Sequence, residues 1–104
     1  QHEIPRGLLA RAAFYRLNQN FTASIYDTDE AFNLAKRYGM KLHLIDCHLE
    51  YARLALAHKD ADTAQAHYST ALNLVSLTGY HRRDSELDKI RCLMTALPIS
   101  LKDS

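Results

Sequence analysis

Apolar residues recur every third or fourth position along most of this chain. Leu42, Ile45, Leu49, Ala52 and Leu56 follow a 3-4-3-4 spacing, and Ala64, Tyr68, Ala71, Leu72 and Val75 keep the helical period one segment later. Such a period lines up apolar side chains on one face of an α-helix. No segment alternates with the period of a strand, and no Asn-Gly or Asp-Gly pair marks a hairpin. Breakpoints are few. Pro5 suits a first helical turn, where a missing N–H costs nothing, and Pro98 stops the last apolar pattern. Gly39 and Gly79 stand where long patterns end, as left-handed helix caps do. The pattern predicts five helices, near 5–18, 21–38, 42–58, 61–78 and 86–97, and an all-α fold.

Gly39 and Gly79 are forty residues apart, and sliding the chain by that distance brings out a repeat. Leu9 meets Leu49, Ala12 meets Ala52, and Ala31 meets Ala71. Asn33 likewise meets Asn73, and Leu34 meets Leu74. Asn20 falls on Asp60, both good N-caps for the second helix of a unit. A third, partial copy sets Leu42, Ile45 and Cys47 against Leu87, Ile90 and Cys92. The unit is a helical hairpin. Repeat one covers 5–40 and repeat two 41–80, followed by an extra helix over 85–97 and a tail over 98–104, in a single domain of 104 residues.

Composition narrows the functional classes. With 47% apolar and 24% charged residues the chain can build one ordinary globular core. A formal charge of +1 argues against nucleic acid or an anionic membrane surface as partner. No apolar run reaches the ~18 residues of a membrane span. The two cysteines are too far apart in sequence to suggest a disulfide framework, and they fit a reducing cytoplasm. A first residue of Gln rather than Met points to a processed chain or a piece of a larger protein.

The stretch most suggestive of chemistry is His81-Arg82-Arg83-Asp84. Its His-Arg-Asp order looks like a kinase catalytic loop, but the Gly-rich loop, strand lysine and Asp-Phe-Gly segment of that signature are missing. Gly79 closing one helix, and Ser85 with Asp88 as a capping box opening the next, make 81–84 an inter-repeat loop with solvated arginines. There is no Gly-x-Ser-x-Gly elbow, phosphate loop or His-Glu-x-x-His, so no enzymatic activity is expected. His43 and Cys47 have the spacing of two metal ligands on one helix, yet a structural zinc takes four. Cys47 and Cys92 are therefore read as packing residues, with no metal and no cofactor. Asp27, Asp29 and Glu30 read as a solvated acidic face.

The second hairpin carries Ala52 on its first helix, a turn at His58-Lys59-Asp60, and Ala64, Tyr68 and Ala71 on its second. In these positions the chain resembles tetratricopeptide repeat (TPR) proteins, whose small residues let paired helices approach closely. The first hairpin departs from the pattern, with Ser24 and Thr28 at the small and aromatic positions, and glycine stands where the family ends a repeat with proline. The ending from Thr78 to Asp84 is similar to repeat endings in large bacterial multidomain regulators and sensors. The resemblance implies a superhelical array of two repeats plus one C-terminal helix. It also implies a protein-interaction module whose groove is lined by the first helix of each hairpin. The matching positions are Arg6, Leu9, Ala13 and Arg16 from repeat one and Asp46, Leu49, Arg53 and Leu56 from repeat two. Arginines mixed with leucines suit a peptide bearing acidic and apolar residues, and Arg16 and Arg53 are expected to face that partner rather than an internal acid. The alternative is a structural or oligomerisation element, with Leu87, Ile90, Leu93, Met94 and Leu97 of the last helix forming a homodimer seam.

Overall fold

Five helices follow one another: α1 (Ile4–Leu17), α2 (Phe21–Arg37), α3 (Lys41–Ala57), α4 (Ala61–Thr78) and α5 (Asp84–Ala96), the last preceded by one 3-10 turn, His81–Arg83. The computed structural model describes residues 4–96, with side chains from residue 7 onward. The Arg6 side chain, Leu97 and the tail 98–104 lie outside the described residues. Among the described residues there is no strand, as the apolar period requires, and the helix bounds lie within two residues of those it predicts.

The turns explain the regularity. Gln19, Gly39, Lys59 and Gly79 all have positive φ, at 64°, 65°, 59° and 74°. At the first three, an N–H just past the helix reaches back five residues: Asn20 to the Tyr15 carbonyl (2.8 Å), Met40 to Ala35 (2.9 Å) and Asp60 to Ala55 (2.8 Å). These bonds close Schellman-type ends and satisfy carbonyls the helix leaves open. The side chains of Asn20 and Asp60 then accept from the N–H of Ala23 and Thr63, capping α2 and α4 as their spacing predicts. Helix plus turn is thus a twenty-residue module, and turns this tight make neighbouring helices antiparallel. Glycine relieves the left-handed backbone only between hairpins. Within each hairpin Gln19 and Lys59 adopt it despite a side chain, so glycine spacing shows only every second turn.

The second glycine-marked end, at Gly79, differs. Its N–H bonds the Val75 carbonyl at 2.7 Å, and the chain goes on through the 3-10 turn straight into α5. The helix starts at Asp84, so Ser85 and Asp88 do not form the capping box expected from their spacing. Asp88 sits instead beside Arg91 (3.6 Å) one turn on.

α1 packs along α2 and α3 along α4, while α2 lies on α3, α1 beside α3, and α5 on both α3 and α4. Ala12, Ala31, Ala35, Ala52, Ala64 and Ala71 are fully buried, the small residues at which the paired helices meet. Ser24 and Thr28 fill the corresponding places in the first hairpin, where their hydroxyls donate to the Ala12 and Ser24 carbonyls at 2.8 Å each. A buried hydroxyl is tolerated when it is bonded in this way. The main core joins Ile45, Leu49 and Ala52 of α3 to Ala71 and Val75 of α4 and Leu87 and Ile90 of α5. Two expectations fail here. Leu72 is 40% exposed because its neighbour Ala71 takes the buried position, and Cys92 is exposed whereas its repeat counterpart Cys47 is buried. Among the described residues α3 is flanked by α1, α2, α4 and α5, whereas α5 packs mainly on α3 and α4, so the same position is covered in one helix and bare in the other.

Candidate functional site

The face shared by α1, α3 and α5 holds two adjoining depressions of about 430 and 420 Å³, both touching Arg53 and Glu86. Leu9, Ala13, Asp46, Leu49 and Arg53 line one, and Arg16, Arg53 and Leu56 line the other. Seven of the eight groove positions drawn from the repeat therefore converge on this face. The eighth, Arg6, lies outside the described side chains. Repeat spacing works as a guide because residues forty apart occupy equivalent places on α1 and α3. Leu49 needs a correction: at 1% exposure it belongs to the core and supplies only the floor.

The electrostatics of this face were not legible from the helices taken singly. Glu50, 3% exposed, accepts from Arg16 Nε at 2.5 Å, and Arg53 Nη1 approaches its other oxygen at 3.4 Å. Arg53 Nη2 also donates to Glu86 at 2.8 Å. The arginines expected to stand free for a partner are thus engaged inside the molecule, by an acid on α3 and another on α5. Next to them Arg83 forks onto Asp46, with Nε at 2.5 Å and Nη2 at 3.1 Å. This bidentate bond holds the Arg83 guanidinium pKa above its ordinary value, with burial pulling the other way. Arg83 is therefore not a solvated loop residue, while Arg82 is exposed as expected. His81 meets Asp84 at 3.1 Å in an exposed pair.

A second correction concerns the acidic cluster. Asp27 is 2% exposed and accepts both arms of Arg11, at 2.7 and 2.9 Å, tying α1 to α2. Asp29 and Glu30 are both exposed as expected, with Asp29 accepting from the Tyr51 hydroxyl. His43 and Cys47 do not assemble a site. Burial pushes the Cys47 thiol up to about 12, and the His43 Nδ1 is buried without a hydrogen bond. Among the described residues no three His, Cys, Asp or Glu side chains gather into a group able to hold a metal, and no helix is long and apolar enough to cross a membrane.

Five cationic and three anionic side chains line the two depressions, and every one of those acids already has an arginine partner. Positive charge is therefore in excess on these linings, with Arg82 exposed on the rim and Lys89, also exposed, 4.0 Å from the Glu86 that Arg53 already engages. Leu56, Ile90 and Leu93 give the first depression an apolar wall. Such a surface can hold a segment that pairs carboxylates with apolar side chains. No protein-family model matches the chain, and neither curated proteins nor solved structures yield a significant match, so the role of this face is read from its own residues.

Proposed function

We propose that the chain is a TPR-like scaffold, part of a larger regulatory or sensor protein, that binds a protein segment across α1, α3 and α5. The observation that carries this reading is the convergence of the repeat-equivalent positions on one face with surplus positive charge beside apolar walls. The packing order supports it, since the first helices of successive hairpins lie side by side while the second helices back them. The bound segment is peptide-like, acidic and apolar, because guanidinium and ammonium groups select carboxylates and the leucines select apolar anchors. No reaction chemistry is assigned to this face. Selection from a displayed random-peptide library tests the proposal. Acidic–apolar sequences should be enriched, should weaken with salt, and should fail to bind an Arg82→Glu, Lys89→Glu variant that melts like wild type. Amide shifts on binding should map to α1, α3 and α5. A library that yields no enriched sequence refutes it.

One observation favours the second reading, a self-associating structural element: Leu93 on α5 is 54% exposed beside Leu56 and Ile90. Sedimentation equilibrium of wild type and Leu93→Lys distinguishes the two, because only this reading expects a concentration-dependent dimer that the lysine abolishes.

A further inference from the structure

Away from Asp46, Glu50 and Arg53, α3 turns His48 and Tyr51 toward α2 and α4. His48 of α3 and His67 of α4 bring their Nδ1 atoms to 3.0 Å. The ring centroids are 5.2 Å apart. Subtracting the nitrogen separation leaves about one imidazole ring radius on each side, so both nitrogens lie near the line joining the ring centres. Their in-plane lone-pair directions point at each other rather than converging on a third point beside them. That is the geometry of an N–H···N hydrogen bond, not of two ligands on a metal.

Aromatic rings enclose the pair. Phe32 of α2 sets an edge against His48 at 5.5 Å, and Tyr51 stacks on His67 at 4.8 Å. The titratable and charged groups around it come from each packed element. α2 supplies Asp29, bonded to the Tyr51 hydroxyl, and Lys36, which lies 5.5 Å from the Phe32 ring centre. α3 supplies Tyr51 and the Cys47 thiol. His67 also lines, with Tyr51, a separate depression of about 310 Å³ that includes His58 and Asp60 at the turn into α4.

A neutral imidazole carries its proton on one nitrogen only. Two facing Nδ1 atoms therefore require opposite tautomers, one ring protonated at Nδ1 and the other at Nε2. A second proton at the acceptor would set two N–H groups head to head. We propose that His48 and His67 share a single proton between their Nδ1 atoms, tie α3 to α4 through it, and release that tie on acidification. Burial, with His67 adding to it at His48, disfavours charging either ring, and His48 is brought down to about 4. The pair is an acid-sensitive contact outside the linings of the proposed groove, and it does not depend on the groove having a ligand.

Long-range nitrogen–proton correlation spectra of the wild-type protein test this directly. At neutral pH one of the two rings should show the Nδ1–H tautomer and the other Nε2–H, with His48 titrating near 4. Amide exchange in the first half of α4, corrected for intrinsic rates, should accelerate between about pH 6.5 and that midpoint. In a His67→Phe variant the acid-dependent acceleration should shrink to the part that burial of His48 alone accounts for, and His48 should show the Nε2–H form. Both rings in the Nε2–H form with midpoints near the ordinary histidine value of about 6.5 would overturn the proposal. Acid-dependent exchange persisting unchanged in His67→Phe would do so as well. The tautomer measurement is made on wild type, so it decides even if the variant folds poorly.

Discussion

Replacing Glu50 by Gln removes one negative charge from between two guanidinium groups without changing the shape of the side chain. The Glu50 side chain is only 4% exposed, whereas those of Arg16 and Arg53 are 19% and 26% exposed. Truncating one partner of a fully buried pair costs about 3–5 kcal/mol, because the other charge is stranded. Here both arginines keep some contact with water and can rehydrate, and the amide oxygen of Gln still accepts one bond. The loss should therefore fall nearer the net value of a hydrogen bond to a charged group, about 2 kcal/mol. For a domain of this size that lowers Tm by about 8–16 °C. Thermal and urea unfolding followed by circular dichroism measure it. The urea slope should be unchanged, since the surface exposed on unfolding is the same. The double variant Arg16→Glu, Arg53→Glu should lose more, because it sets new carboxylates against a buried one. A Glu50→Gln protein melting within about 2 °C of wild type would refute the argument and return both arginines to the role of partner-facing groups.

Three other outcomes are expected. Ala64 is fully buried at a helix contact, so Ala64→Leu should cost about 1–3 kcal/mol by overpacking; an unchanged urea midpoint would mean that the α3–α4 contact is misassigned. Acid should destabilise the fold through His48. Its folded pKa is depressed, so unfolded chains take up its proton first, and stability falls from about pH 6.5 to about 4 and then levels for this group. Allowing for its half-buried position the loss is about 1–2 kcal/mol, read as a falling urea midpoint that His48→Phe flattens. Finally, a disulfide reagent at neutral pH should modify Cys92 quickly and reach Cys47 only after denaturation, because one thiol is exposed and the other is buried and held up at about 12; two equally fast thiols would contradict the packing.

The helices, their bounds and the glycine-marked turns were legible in the sequence, because each depends on residues within one or two turns of one another. Apolar period, N-cap oxygens and left-handed glycines act locally, and the forty-residue offset carried that local information into the groove positions. The fate of the charges was decided by tertiary structure. Arg16 finds Glu50 34 residues away, Arg11 finds Asp27 16 away and Arg83 finds Asp46 37 away. None of these pairs leaves a mark in helical spacing, since the partner sits on another helix. Cys92 and Leu72 have the same standing: composition makes each a plausible core residue, but burial depends on whether a neighbouring helix covers that side. The His48–His67 contact joins α3 to α4 across 19 residues. Sequence alone placed each ring on its helix. Which nitrogen meets which depends on how the two helices are rotated about their axes, and packing sets that rotation through the small residues between them.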